Sequence, residues 1–233
     1  MRLNKILSEY GICSRRQADR YIEEGRVSVN GQTAQHGMQA DPEKDIILID
    51  GKGLGEKPET VILAYNKPAG VVCSTVSQGK EVNDIISVLG LKMHLYPVGR
   101  LDRESTGLIL LTNDGDLTDS LLRSANGHEK EYTVKINGDF SDDELSRIRK
   151  GGIPLLENRK TKPCRIKRTG NGEYDIVLTE GMNRQIRRLC ALFEKEVISL
   201  HRIRFLSVEL NGLKTGEYRI LSEEEKNGLY GGI

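Results

Sequence analysis

Residues 99–115 read GRLDRESTGLILLTNDG. Four apolar residues, 108–111, are followed by Thr112 and then by Asn113-Asp114-Gly115. A short apolar run closed by turn residues is a buried strand. Just before it, Asp102 stands between Arg100 and Arg103. The carboxylate is therefore expected in a loop anchored by a core strand, a common station for catalytic side chains. Both arginines favour an ionised carboxylate where they come near it, although neighbours along a loop often point apart. One aspartate beside two arginines also suits a turn cap or a structural ion pair.

Around this stretch the pattern mixes strands and helices. Strands are predicted at 61–65, 71–74, 108–112, 132–136, 164–167, 174–179 and 197–210, and helices at 82–89, 117–123, 142–150 and 183–193. They do not alternate strictly, so the fold class is α+β rather than a doubly wound parallel sheet. In the helix at 183–193, Ile186, Leu189, Cys190 and Phe193 form one apolar face. Arg184, Arg187 and Arg188 fall on an adjoining polar arc, which on charge alone is an exposed basic helix. Six Lys or Arg and no acid occur between Arg159 and Arg168, and residues 184–204 carry a net charge of +4. Such tracts suit phosphate contacts, and the alternation in RIKR equally suits the wet face of an edge strand.

Upstream, residues 51–60 (GKGLGEKPET) lack apolar periodicity and read as a linker. This gives a small domain over 1–50 and a larger one over 61–233. In the small domain, Leu3, Ile6, Leu7 and Tyr10 keep helical spacing up to Gly11. Ser14 with Gln17 opens a second helix as a capping box, with Ala18, Tyr21 and Ile22 inward. Val27 and Val29 alternate before Asn30-Gly31, a hairpin turn signal, and 46–49 is a buried strand. Arg2 and Lys5 share one side of the first helix. Arg15 and Arg16 open the second, where free backbone N–H groups also favour anions, and Arg26 begins the strand. These five can grip phosphates, or they line a solvated face.

The totals add limits. The chain has 233 residues, 37% hydrophobic and 30% charged, and a formal net charge of +1, so only the charge distribution bears on nucleic acid. Neither a membrane span nor a secretory signal is expected. Cys13, Cys73, Cys164 and Cys190 are scattered and predict free thiols in a reducing, cytoplasmic setting. His36, His94, His128 and His201 are isolated, without metal-ligand spacing, which argues against a metal-dependent RNA hydrolase. Nothing such as a heptad run predicts a dimer, so a monomer is expected.

Residues 1–50, with the Ser-Arg-Arg helix start and the GRVSVNG hairpin, resemble the S4 RNA-binding module. The stretch 99–115 resembles the catalytic motif of RNA pseudouridine synthases, specifically bacterial ribosomal RNA-modifying members with an N-terminal S4 domain. The resemblance extends over HEKEYTVKI (128–136) and EGMNRQIRRLCALF (180–193) and so covers almost the whole chain. It implies a catalytic domain with a mixed, largely antiparallel sheet and a central cleft, needing no metal and no cofactor. It carries the catalytic aspartate onto Asp102 and the base-stacking aromatic onto Tyr132, with Arg187 pairing Asp102 and Leu178 lying against the base. Arg100 is placed as active-site support, and Lys130, Asn183, Arg184, Gln185 and Arg188 as RNA contacts. The details of 128–136 and 180–193 are closer to members acting on the large ribosomal subunit. The implied reaction is conversion of a uridine to pseudouridine in 23S ribosomal RNA. Alternatives are 16S RNA, a tRNA stem-loop, or a non-catalytic RNA-binding assembly factor.

Overall fold

The computed structural model describes residues 1–74, 84–91, 93–123, 127–157 and 159–231. The chain divides into two compact units. One comprises Met1–Val61 with Leu91–Tyr96 and Asn113–Gly115, and the other comprises Ile62–Gly90, Pro97–Thr112 and Asp116–Ile233.

In the first unit, helix Leu3–Glu9 buries Leu3, Ile6 and Leu7. The chain turns at Gly11 (φ +71°) into helix Arg15–Glu23. The Ser14 hydroxyl accepts from the Gln17 amide at 3.2 Å, the half of the capping box that satisfies a free helix N–H. Ala18 and Ile22 of this helix join Val27, Val29 and Ile47 of a four-stranded sheet in one apolar core. Val27–Val29 pairs antiparallel with Gln32–Thr33 and with Ile47–Ile49. Asn30 and Gly31 both take positive φ (51° and 80°), as a tight hairpin whose twist matches the strands requires. The buried strand expected at 46–49 begins one residue later and is only partly buried, with Ile47 in the core and Leu48 and Ile49 half-buried. Ile46 is 65% exposed, and its amide is spent on the Asn30 side chain.

The second unit is built on a nine-stranded sheet. Its main path runs Arg165–Gly170, Glu173–Leu178, Lys130–Ile136, Val197–Phe205, Thr106–Thr112, Ile62–Lys67, Tyr218–Ile220. All pairings along that path are antiparallel except one, the short parallel contact of Val197–Phe205 with Thr106–Thr112. Residues 108–112 are all buried, as the opening stretch predicts. Helix Gln185–Leu192 lays Ile186, Leu189 and Cys190 against Val134, Ile136 and Ile176 of the sheet and against Leu145 and Ile148 of helix Asp142–Lys150. A second cluster joins Leu108 and Leu110 to Leu117 and Leu121 of helix Gly115–Leu122.

Several elements depart from the sequence reading. The strand expected over 197–210 ends at Phe205. Leu206 takes φ +52° and the chain doubles back, setting Val208 opposite Phe205. Residues 71–74 form only an isolated bridge, Val72 to Asp84. The helix expected over 82–89 is Ile85–Leu89, capped by the Asp84 carboxylate; Val82 and Asn83 lie outside the described residues. The acidic C-terminal segment, for which the sequence offers no apolar periodicity, forms helix Glu223–Gly231 and buries Leu229 in the second cluster. Three glutamates in its first turn suit the positive end of the helix dipole.

Candidate active site

Asp102 lies in the loop that leads into strand Thr106–Thr112, and that loop is tied from several sides. Lys67, the last residue of strand Ile62–Lys67, is fully buried. Its ammonium donates to the carbonyls of Pro68 (2.9 Å), Val71 (2.9 Å) and Arg103 (3.4 Å). Burial pushes its pKa down, while carbonyl bonds on three sides hold the charge. The Gly70 amide donates to the Arg103 carbonyl at 2.7 Å, the Leu101 amide to Cys73 Sγ, and the Ser105 amide to the Asp102 carbonyl. A lysine clamp on three carbonyls, one of them next to Asp102 in the chain, makes this a rigid support for one carboxylate.

Arg187 Nε lies 3.8 Å and Arg184 Nη1 3.9 Å from Asp102 Oδ2. Both guanidiniums come from the start of the helix at 185–192, not from the loop itself. Arg100 is exposed along the cleft, and Arg103 turns to the Gly70 carbonyl. Of the two possibilities the sequence leaves open, the flanking arginines point apart from Asp102, and the described ion-pair partners come from the 180–193 motif. Arg187 is fixed by a bond to the Val197 carbonyl, and its buried Nε has no hydrogen-bond partner, so it faces Asp102 at just beyond bonding distance.

The cleft around Asp102 has a volume of about 560 Å³. Tyr132, Lys130 and Arg202 of adjacent strands line it, with Asp102, Arg100 and Asn183 among the loop residues. Tyr132 also shares a smaller recess with Asp102, Leu178 and Ile186. Leu178 is directly opposite Lys130 in the strand pairing, on the face that Tyr132 shares.

Other expected residues are placed differently. Gln185, taken as an RNA contact, is 5% exposed and bonded to Glu180 (2.7 Å) and the Met182 amide (3.0 Å), where it shapes the loop. Arg184 precedes the helix in a left-handed conformation (φ +53°), so it does not share a helical arc with Arg187 and Arg188. It also bonds Glu104 at 3.1 Å. Arg188 is exposed and held by the carbonyl and side chain of Asn183. In the N-terminal unit Arg2, Arg15 and Arg16 are exposed, while Lys5 pairs with Glu9. Arg26 is engaged in a two-point pair with Asp50 (2.9 and 2.6 Å) at the surface and lies over Tyr21. The basic tracts are likewise partly spent, since Glu129 holds both Arg165 and Arg204.

Sequence reasoning missed Lys67, His128 and Arg202. The signal for Arg202 was present: it follows Leu200 by two residues on the inward phase of its strand, where a charge is out of place. Arg202 is 2% exposed and His128 3%. Among the described residues no group of three His, Cys, Asp or Glu could hold a metal ion, and no helix is long and apolar enough to cross a membrane.

A carboxylate faced by guanidiniums in a basic, tyrosine-lined cleft suits an anionic substrate carrying a flat ring. Residues 61–192 match the RNA pseudouridylate synthase family, and residues 1–46 match the S4 domain. The dual-specificity RNA pseudouridine synthase RluF of Shigella flexneri is 44% identical over 99% of this chain and 78% of its own length. Ribosomal large subunit pseudouridine synthase B of Bacillus subtilis is 34% identical over 98% of this chain and 95% of its own. A crystal structure of a pseudouridylate synthase matches 98% of this chain and 99% of its own with a TM-score of 0.70 at 29% identity. The chain belongs to the RNA pseudouridylate synthase family. It is an isomerase that converts uridine to pseudouridine in RNA, preceded by an S4 domain.

Proposed function

We propose that the substrate is a uridine of 23S ribosomal RNA, flipped into the cleft, and that Asp102 is the catalytic carboxylate. The observation that carries this is Asp102 itself, clamped at the cleft wall with Arg187 Nε facing it and otherwise unpartnered. The reaction breaks the bond from N1 to C1′, turns the base, and forms a bond from C5 to C1′. The C5 proton is lost and N1 gains one, so no electrons enter or leave. An ionised carboxylate serves either by attacking the nucleotide or by stabilising a cation-like sugar. Arg187 orients Asp102, Tyr132 stacks on the base, and Leu178 supplies an apolar wall. Arg100, exposed on the same cleft, supports the active site from its rim.

The large-subunit target rests on the names of the relatives acting there. RluF is named as dual-specificity, so a second RNA is also to be tested, and a tRNA stem-loop is the alternative the sequence leaves open. The enzyme acts as a cytoplasmic monomer without metal or cofactor. Tritium release from [5-³H]uridine-labelled 23S RNA, 16S RNA and tRNA tests the substrate. Release from 23S RNA is the expected result, and release from 16S RNA or tRNA alone moves the target.

The S4 unit adds phosphate contacts through Arg15 and Arg16. Replacing both by glutamine should weaken RNA binding and reduce the slope of log K against log salt by about 0.7–0.9 per lost contact. An unchanged slope in filter binding removes these two residues from the RNA surface.

A further inference from the structure

Three polar groups on the sheet side of the cleft have no part in the chemistry above. Arg202 Nε donates to the Leu108 carbonyl at 2.6 Å, but its Nη2 is buried without a hydrogen-bond partner. Lys130 Nζ donates to the His128 carbonyl at 3.0 Å and lies 5.2 Å from the centre of the Phe205 ring. The Arg202 guanidinium sits 5.7 Å from the same ring centre. His128 Nε2 is also buried and unpartnered. All three residues line the cleft.

No carboxylate among the described residues pairs with this group. Glu129 and Glu131, its neighbours in sequence, are turned to Arg165 and Arg204. Burial and the adjacent Arg202 charge together push the Lys130 ammonium down to about 8. Two desolvated cations side by side are unfavourable in the free protein, and an anion settling between them relieves both. Arg202 stands directly opposite Tyr132 in the strand pairing, and Lys130 lies two residues from Tyr132 on the same face. Directly paired positions are about 5 Å apart, the scale on which a nucleotide separates phosphate from base.

We propose that Arg202, Lys130 and His128 form the seat for one RNA phosphodiester next to the flipped uridine, fixing how far the nucleotide enters toward Asp102. This rests on the RNA reading above, since phosphate is the anion that RNA brings. The seat is a binding site and takes no part in bond making.

A scan of single methylphosphonate linkages, each removing one phosphate charge, tests it. The probe is the 23S RNA hairpin selected by tritium release or, failing release, the tightest binder of a set tiled across 23S RNA. Affinity is read by fluorescence anisotropy. Wild type should lose about tenfold or more at one linkage, the scale of a charge-assisted hydrogen bond. Arg202→Gln and Lys130→Gln should bind native RNA more weakly by a similar factor and be indifferent to the neutral linkage at that position. A flat scan, or losses that simply add between variant and linkage, overturns the proposal. Because affinity is read apart from turnover, RNA that binds at this seat without tritium release sinks the functional assignment alone. If Arg202→Gln does not fold, Lys130→Gln carries the same comparison.

Discussion

Asp102→Asn should abolish tritium release, by about 10⁴-fold or more, the scale seen when a group central to covalent catalysis is removed. Asparagine matches the carboxylate in size and keeps a carbonyl oxygen toward Arg187, but it offers no anion to the sugar or base. The loop should stay in place, because it is held by Lys67 and backbone bonds and not by the Asp102 side chain. The ion pairs to Arg184 and Arg187 are long, at 3.9 and 3.8 Å, and the carboxylate is 25% exposed, so losing them should cost no more than about 1 kcal/mol. RNA affinity should hold or rise slightly, since one negative charge leaves a basic cleft. Release within tenfold of wild type would mean that another group carries the reaction. Lost affinity with lost folding would mean that the aspartate is structural.

What the sequence made legible follows from where local rules are enough. Residues 108–112 need no context, because an apolar run closed by Asn-Asp-Gly can only be buried. Helix Asp142–Lys150 is similarly self-specified, with a reciprocal capping box between Ser141 and Glu144 and the basic residues in its last turn. The Asn30-Gly31 turn belongs to the same class. Where a boundary depends on tertiary packing, local reading fails. Val197 to Leu210 reads as one strand, yet Leu206 turns into left-handed backbone so that Val208 can pack beside Phe205. The tail helix was unreadable for the same reason: its burial comes down to Leu229, set among residues from distant strands.

At the site, resemblance named Asp102, Tyr132 and Arg187, and the fold brings Asp102 to both of the other two. It could not distinguish a polar residue that faces RNA from one that builds the loop. Gln185 looks like an RNA contact in sequence because its partner, Glu180, is chosen by folding. Lys67 and Arg202 pose the converse problem. Each is a buried cation whose hydrogen bonds go to carbonyls, a type of partner that every residue carries and that leaves no mark in sequence.

Gly107→Ala should produce the largest loss of stability. Gly107 takes φ +101°, and a Cβ there would lie 2.2 Å from the Arg202 carbonyl oxygen and 2.6 Å from its amide nitrogen. Both are backbone atoms of a central strand, so no side chain can swing aside. Gly107 pairs parallel with Arg202 on one side and antiparallel with Lys67 on the other. The added methyl therefore strikes the joint between the two halves of the sheet, beside both buried cations. A cost above about 4 kcal/mol is expected, which for a domain of this size lowers Tm by roughly 8 °C or more. Gly138→Ala is the control, since Gly138 also has positive φ (77°) but open space where the Cβ would go. Left-handed backbone alone costs alanine about 1–2 kcal/mol, so that variant should melt only a few degrees early. If calorimetry of the two variants gives equal shifts, the close approach at Arg202 is not what requires glycine in the STG sequence. If Gly107→Ala alone collapses, the glycine is there to let two strands touch, and catalysis depends on it only through the positions it gives Arg202 and the Asp102 loop.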